Sequence, residues 1–358
     1  MGMITLGAAS PWLLRGKQAL AGQPLFFSAF DDDQGQHYLA ILDANANVVF
    51  KQPVSARAHS VSLAPSGKHV IFFARRPGGM AWQIDLHKLH LVRTLHAQAG
   101  RHFYGHGCFS PDGTRLFTTE NDFENARGLI VERALETGDV VREFDSGGIG
   151  PHDLRLAVDG NILIVANGGL QTHPDKGREP LNLDTMQPSL AYLDRRSGEL
   201  LEQVTPPHHQ LSIRHLWVTP DDQVAAVMQY KGPVTDPVPL VAFHRRGQAL
   251  RTAMAPLAAQ RQMQAYTASV CIEPRSNTAL VTCPHGGIIT LWDVRKAKFI
   301  SALPLSDAGG VNLSADGNDF LVSTGLGEIN RVSPNGQSRL IGTIGDTRWD
   351  NHLVSSAG

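Results

Sequence analysis

Three cysteines, Cys108, Cys271 and Cys283, are all that this chain of 358 residues contains. They are too few and odd in number, and none stands in a Cys-x-x-Cys pair, which argues against a disulfide framework. Cys108 and Cys271 fall in apolar, strand-like runs and read as small buried hydrophobes. An excess of either charge is missing as well. The 32 Lys plus Arg stand against 33 Asp plus Glu, the net charge is -1, and the basic residues are dispersed. That balance removes the electrostatic grounds for expecting a nucleic acid or an anionic membrane as partner. No stretch is long and apolar enough to span a bilayer. No Gly-x-Ser-x-Gly elbow is present, so nucleophilic hydrolysis has little support. No phosphate loop and no dinucleotide fingerprint follows a strand, so neither a nucleotide nor a flavin is expected.

What is present is a weak internal repeat. Short apolar runs return after a small turn: Leu63-Ala64-Pro65-Ser66-Gly67, Phe109-Ser110-Pro111-Asp112-Gly113, Leu156-Ala157-Val158-Asp159-Gly160, Val218-Thr219-Pro220-Asp221-Asp222, Ile272-Glu273-Pro274-Arg275-Ser276 and Leu313-Ser314-Ala315-Asp316-Gly317. The spacing of roughly 40 to 60 residues is that of a four-stranded propeller blade rather than a helical solenoid. With 42% hydrophobic and 18% charged residues the chain is able to bury a large core as one closed unit.

Each unit reads as an inner strand, the turn, an alternating second strand and two outer strands. The first complete blade covers 60–63, 69–74, 80–85 and 91–95, and later blades begin near His106, His152, His215, Thr267 and Gly309. The sixth ends with strands at 319–323, 327–332 and 338–341. After it, 349–354 looks like one more inner strand, whose outer partners lie at 25–30, 38–42 and 48–50. Joining the two ends closes a ring and removes the sheet edges that an open array would expose. The expected fold is therefore all-β: a seven-bladed β-propeller closed by N- and C-terminal strands over residues 24–358.

Propeller topology places the start of every inner strand, and the loop between second and third strands, on one face of the disc. Of the 16 histidines, His59, His106, His152, His215 and His352 mark the start of an inner strand in five blades, near the mouth of the central channel. The same face receives Glu120 and Asp122, Asn167, His173, Asp184, Tyr230 and His285. Imidazole binds transition metals readily, so a histidine ring around a channel is a candidate metal site. His106, His152 and His215 are the first expected ligands, with Asp153, Glu120 or Asp122 as oxygen donors or outer partners. The alternative is structural, with each histidine hydrogen-bonding neighbouring blades. Spacing does not decide, because no pair forms a compact chelate. His102 and His106 would lie about 13 Å apart on an extended strand, so chelation by that pair requires a bend at Gly105.

The longest non-strand segment inside a blade runs from Asn167-Gly168-Gly169 through His173, Asp175, Arg178 and Asp184 to Met186. Its composition suits a lid over the funnel, a cation site or an incidental connection. Residues 1–23 read as a remnant of an export signal or as an N-terminal arm. An apolar run through Trp12-Leu13-Leu14 precedes Ala19-Leu20-Ala21, a small-residue cleavage pattern, and no twin arginine precedes it. The expected location is the periplasm.

The longer motifs are His102-Phe103-Tyr104-Gly105-His106-Gly107, Gly148-Ile149-Gly150-Pro151-His152-Asp153-Leu154, Val165-Ala166-Asn167-Gly168-Gly169, Thr172-His173-Pro174-Asp175, Leu181-Asn182-Leu183-Asp184-Thr185-Met186 and Ser212-Ile213-Arg214-His215-Leu216. Together with Thr119-Glu120-Asn121-Asp122 they resemble the bacterial family called domain of unknown function 1513, from about Pro24 onward. The resemblance implies an exported seven-bladed propeller, often with a twin-arginine signal, whose relatives accompany imelysin-like and other periplasmic iron-uptake proteins. It implies no established activity. The leading reading is a non-enzymatic periplasmic propeller that binds iron or another transition metal at the funnel, accessory to iron uptake, with Arg214 available to an anionic chelator. The alternatives are a metal-dependent hydrolase or lyase at the same funnel and a scaffold for protein partners.

Overall fold

The computed structural model describes residues 23–356, and the expected signal segment at 1–22 lies outside them. Among the described residues the strands form seven antiparallel sheets, six of four strands and one of five, arranged as a propeller. The first blade runs Ala58–Leu63, His69–Ala74, Met80–Asp85 and His90–His96 from the channel outward, within a few residues of the expected bounds.

The turn chemistry explains the repeat. In the second blade Ser110 Oγ donates to Asp112 Oδ1 at 2.5 Å, Asp112 Oδ1 accepts the Thr114 amide at 3.0 Å, and Gly113 adopts φ 68°. The sixth blade repeats it, with Ser314 Oγ donating to Asp316 Oδ1 at 2.6 Å and Gly317 at φ 68°. The side chain occupies the bonds that a further ladder step would use, so the chain reverses there. In the second strands both faces are covered by neighbouring blades, and they read as continuous apolar runs such as Val70-Ile71-Phe72-Phe73-Ala74, all fully buried. Outermost strands alternate between half-buried and exposed residues, as in Val140–Asp145.

The two termini share one sheet. Thr347–Trp349 and Val354–Ser355 both pair with Phe26–Asp32, which continues into His37–Leu42 and Val48–Val54. The expected single inner strand at 349–354 is split: the Asp350 amide still donates to Ala29 O at 2.9 Å, and the chain then bulges inward through Asn351 and His352. Trp349 packs edge-on against Phe30 with ring centres 5.2 Å apart.

Candidate metal centre

Inner strands deliver the histidines through β-bulges, which insert unpaired residues and re-aim side chains. The ladder shifts between Ala58 and Val61 around His59, between Phe103 and Gly107 around His106, between Pro151 and Asp153 around His152, and between Ile213 and His215. In the sixth blade the equivalent shift holds Gly309 and Gly310 instead. A Cβ on Gly310 would lie 2.7 Å from the His352 carbonyl carbon, so this blade yields its side chain to let the terminal segment approach.

All five expected imidazoles meet. Every ring touches at least three of the others, with the centres of touching rings between 4.5 Å (His215–His352) and 5.8 Å (His59–His152) apart, and every ring is buried. One nitrogen each of His59, His106, His215 and His352 falls within 4.8 Å of the other three, a set able to hold a metal ion. His152 adjoins it, with its Nε2 3.1 Å from His215 Nε2, and His352 Nε2 lies at the same 3.1 Å from His215 Nε2. Adjacent nitrogens around a metal at about 2.1 Å stand about 3.0–3.4 Å apart, so these separations match neighbouring ligands.

Two rings are backed by carboxylates. His59 Nδ1 is 2.7 Å from Asp350 Oδ1, and His106 Nδ1 is 3.0 Å from Asp153 Oδ1. A ring that donates its Nδ1–H to a carboxylate keeps its Nε2 lone pair for a metal. His106 Nε2 is buried and has no hydrogen-bond partner. The carboxylates are themselves pinned: Asp153 accepts from the Leu154 and Leu216 amides, both at 2.8 Å, and Asp350 accepts from the Asn351 amide at 2.7 Å and Arg57 Nε at 2.8 Å. Burial would raise both carboxyls, but Arg155 and His106 hold Asp153 well below the usual range, and His59 with Arg75 and Arg57 does the same for Asp350.

Burial keeps His59, His152, His215 and His352 neutral, the form that ligates. It pushes His59 down to about 4 against the pull of Asp350, and His152, His215 and His352 well below their ordinary value, with the neighbouring histidines adding to the effect in all three and Arg214 in the first two. An unfolded histidine takes its proton near 6.5, so below that pH the unfolded chain binds more protons than the native one and acid favours unfolding. Metal-free protein is therefore expected to hold its stability above about pH 6.5 and lose up to about 1.4 kcal/mol per pH unit for each such ring as the pH falls toward about 4. Urea denaturation across this window checks it, and a flat profile would mean that the rings take protons in the native state.

The bend at Gly105 is present, at φ 98°, and a Cβ there would lie 2.9 Å from His59 Cδ2. Yet His102 stays outside the cluster, its ring bonded to Phe103 O at 2.9 Å and to the Asn121 amide nitrogen at 3.0 Å. Gly105→Ala is expected to cost about 1–3 kcal/mol from backbone strain and to displace the His59 ring. Thermal melting beside a metal titration checks this, and an unchanged melting point with unchanged affinity would mean that the bulge relaxes freely.

The other expected residues are placed variously. Arg214 is buried, with one terminal nitrogen 3.4 Å from His152 Nδ1. Glu120 accepts from Arg133 at 2.7 Å, Asp122 caps Asn125, and Asn167 bonds Ser146. Tyr230 donates to Asp236 at 3.0 Å, His285 stacks on Tyr266 at 3.8 Å, and Asp184 is exposed. His173 accepts the Asp175 amide at 3.2 Å and packs against Phe123. Its insertion lies over the histidine face, touching Arg76 and Asn121 through Thr172 and Gln210 through Leu183. Asp350, Arg57 and Arg75 were missed by sequence reasoning. The one available signal was an acid within two residues of a channel histidine, as in His152-Asp153 and Asp350-Asn351-His352.

The sequence model of the family described as protein of unknown function (DUF1513) matches residues 52–356. The chain belongs to the DUF1513 family. No curated protein matches it. Among solved structures, this DUF1513 propeller is similar to hydrazine synthase of Kuenenia stuttgartiensis, with a TM-score of 0.64 at 14% identity over 87% of this chain and 94% of that one, a likeness of fold alone. Among its described residues no helix is long and apolar enough to cross a membrane.

Proposed function

We propose that this propeller is a periplasmic metal-binding protein, accessory to iron uptake, that holds iron or another transition metal through His59, His106, His215 and His352, with His152 alongside. The observation that carries the reading is the convergence of four buried imidazoles within 4.8 Å, two of them backed by carboxylates. An all-nitrogen neutral donor set suits iron, copper, nickel and zinc rather than calcium or magnesium. Asp153 and Asp350, each one bond removed from a ligand ring, would offset the two charges of a divalent ion. Iron among these metals is supported by the company that the family keeps.

A binding role fits better than a hydrolytic one. The hydrolytic reading expects a carboxylate free to hydrogen-bond a metal-bound water. Asp153 and Asp350 instead point their oxygens at ring nitrogens, backbone amides and arginines. Metal-stripped protein titrated with ferrous iron, cobalt(II) and zinc against a chromophoric competitor is expected to bind one ion per chain. Failure to bind any of the three would remove the reading.

A further inference from the structure

The face that opens onto the histidines carries cations without anions to match them. Arg214, only 3% exposed, meets His152 through a terminal nitrogen, and its Nε has no partner. Arg76 reaches Thr172 Oγ1 at 3.5 Å, with its guanidinium carbon 5.9 Å from the centre of the Tyr104 ring. Lys231 Nζ donates to Gln229 Oε1 at 3.1 Å. Arg178, exposed on the insertion, is close enough to feel the charges of Arg75 and Arg76. Among the described residues none of these four forms an ion pair, although 19 such contacts occur elsewhere.

Arg214, Arg76 and Lys231 instead lie close enough for their charges to act on one another, and Arg76 also faces the Tyr104 ring. Asp350, whose charge reaches Arg178, is already committed to His59 and Arg57. A buried guanidinium without a counter-charge is costly, and a bound anion relieves that cost.

We propose that the channel mouth binds a small, multiply charged oxyanion, a polycarboxylate or a phosphate, held by Arg76, Arg178, Arg214 and Lys231 with the phenols of Tyr104 and Tyr266 beside it. Guanidinium forks match carboxylate and phosphate oxygens two at a time, and tyrosine hydroxyls add neutral donors. The ligand is small because the cations come from the first blade, the insertion and the fourth blade to the same face, while the chain, with a net charge of -1 and dispersed basic residues, offers no basic track for a longer polyanion. The site stands apart from the metal reading, since its cations attract an anion whether or not an ion sits on the histidines.

Calorimetric titration of citrate and of inorganic phosphate into metal-free, chelator-free protein, and into protein carrying cobalt(II), tests it. Saturable binding of one anion per chain is expected in low salt, weakening as salt rises. Arg76→Gln and Arg214→Met are each expected to weaken it by at least about tenfold, the loss of one charge-assisted hydrogen bond, with circular dichroism confirming the fold. A preference for citrate assigns the carboxylate class and a preference for phosphate the phosphoryl class, and either supports the site. No saturable heat with either anion up to about 10 mM, far weaker than several charge-assisted bonds would give, or an unchanged affinity in both variants, overturns it. Anion binding by protein that takes up no metal would leave this site standing and remove the metal centre, and the reverse result would do the opposite.

Discussion

Replacing His215 with alanine is expected to weaken transition-metal binding by at least about a hundredfold, more than any other single histidine change. Its Nε2 lies 3.1 Å from both His152 Nε2 and His352 Nε2, so it is the ring on which the cluster closes. Losing a ligand exceeds the roughly 10- to 100-fold penalty of removing an outer partner, which is the effect expected of Asp350→Asn. That change leaves His59 in place and takes away the charge that fixes its tautomer. His285→Ala serves as the control, because His285 stacks on Tyr266 away from the cluster. His215→Gln keeps the volume if the alanine variant folds poorly. Competition titrations on the four proteins check the order, and equal affinities throughout would assign the histidines a purely structural role.

Removing residues 347–358 is expected to abolish cooperative folding. The deletion strips the innermost strands from the closing blade, leaving Phe26–Asp32 as an open edge and uncovering Phe26, Phe27 and Phe30, now 3%, 0% and 7% exposed. Each re-exposed phenylalanine costs about 1.5–3 kcal/mol, a sum comparable with the whole stability of a domain. Asp350 and His352 leave with the segment, so the site loses a ligand and a carboxylate in the same step. Near-ultraviolet circular dichroism and urea denaturation of the truncated chain decide the matter. A sharp transition with native-like dichroism would show that the ring does not depend on its terminal pairing.

Both predictions depend on features that differ in how far the amino-acid order reveals them. Turn chemistry is local: Ser110, Asp112 and Gly113 bond within five residues, so the period and the blade count are visible along the chain. The position of a histidine at the start of an inner strand is equally local, and all five such residues do meet on the axis. The carboxylate partners are another matter. Asp350 reaches His59 across 291 positions, and Asp153 serves not its neighbour His152 but His106 on the adjacent blade. Such pairings follow from how bulges rotate neighbouring inner strands, which period-two patterning does not encode. Glu120 illustrates the converse: its sequence neighbours put it on the funnel face, while Arg133, its partner on the paired strand, holds it inside the second blade. Arg76 escaped notice for the same reason, and Arg178 and Lys231 were not read as its partners, since the three come from separate blades and become a group only when the ring closes.

X-ray absorption at the metal edge of protein loaded with one cobalt(II) or ferrous ion tests the shared centre most directly. The account predicts a shell dominated by imidazole nitrogens at about 2.1 Å, with the outer-ring scattering of at least three histidines, lost in the His215→Ala variant. An oxygen-only shell, or a nitrogen shell that persists unchanged in that variant, would contradict it.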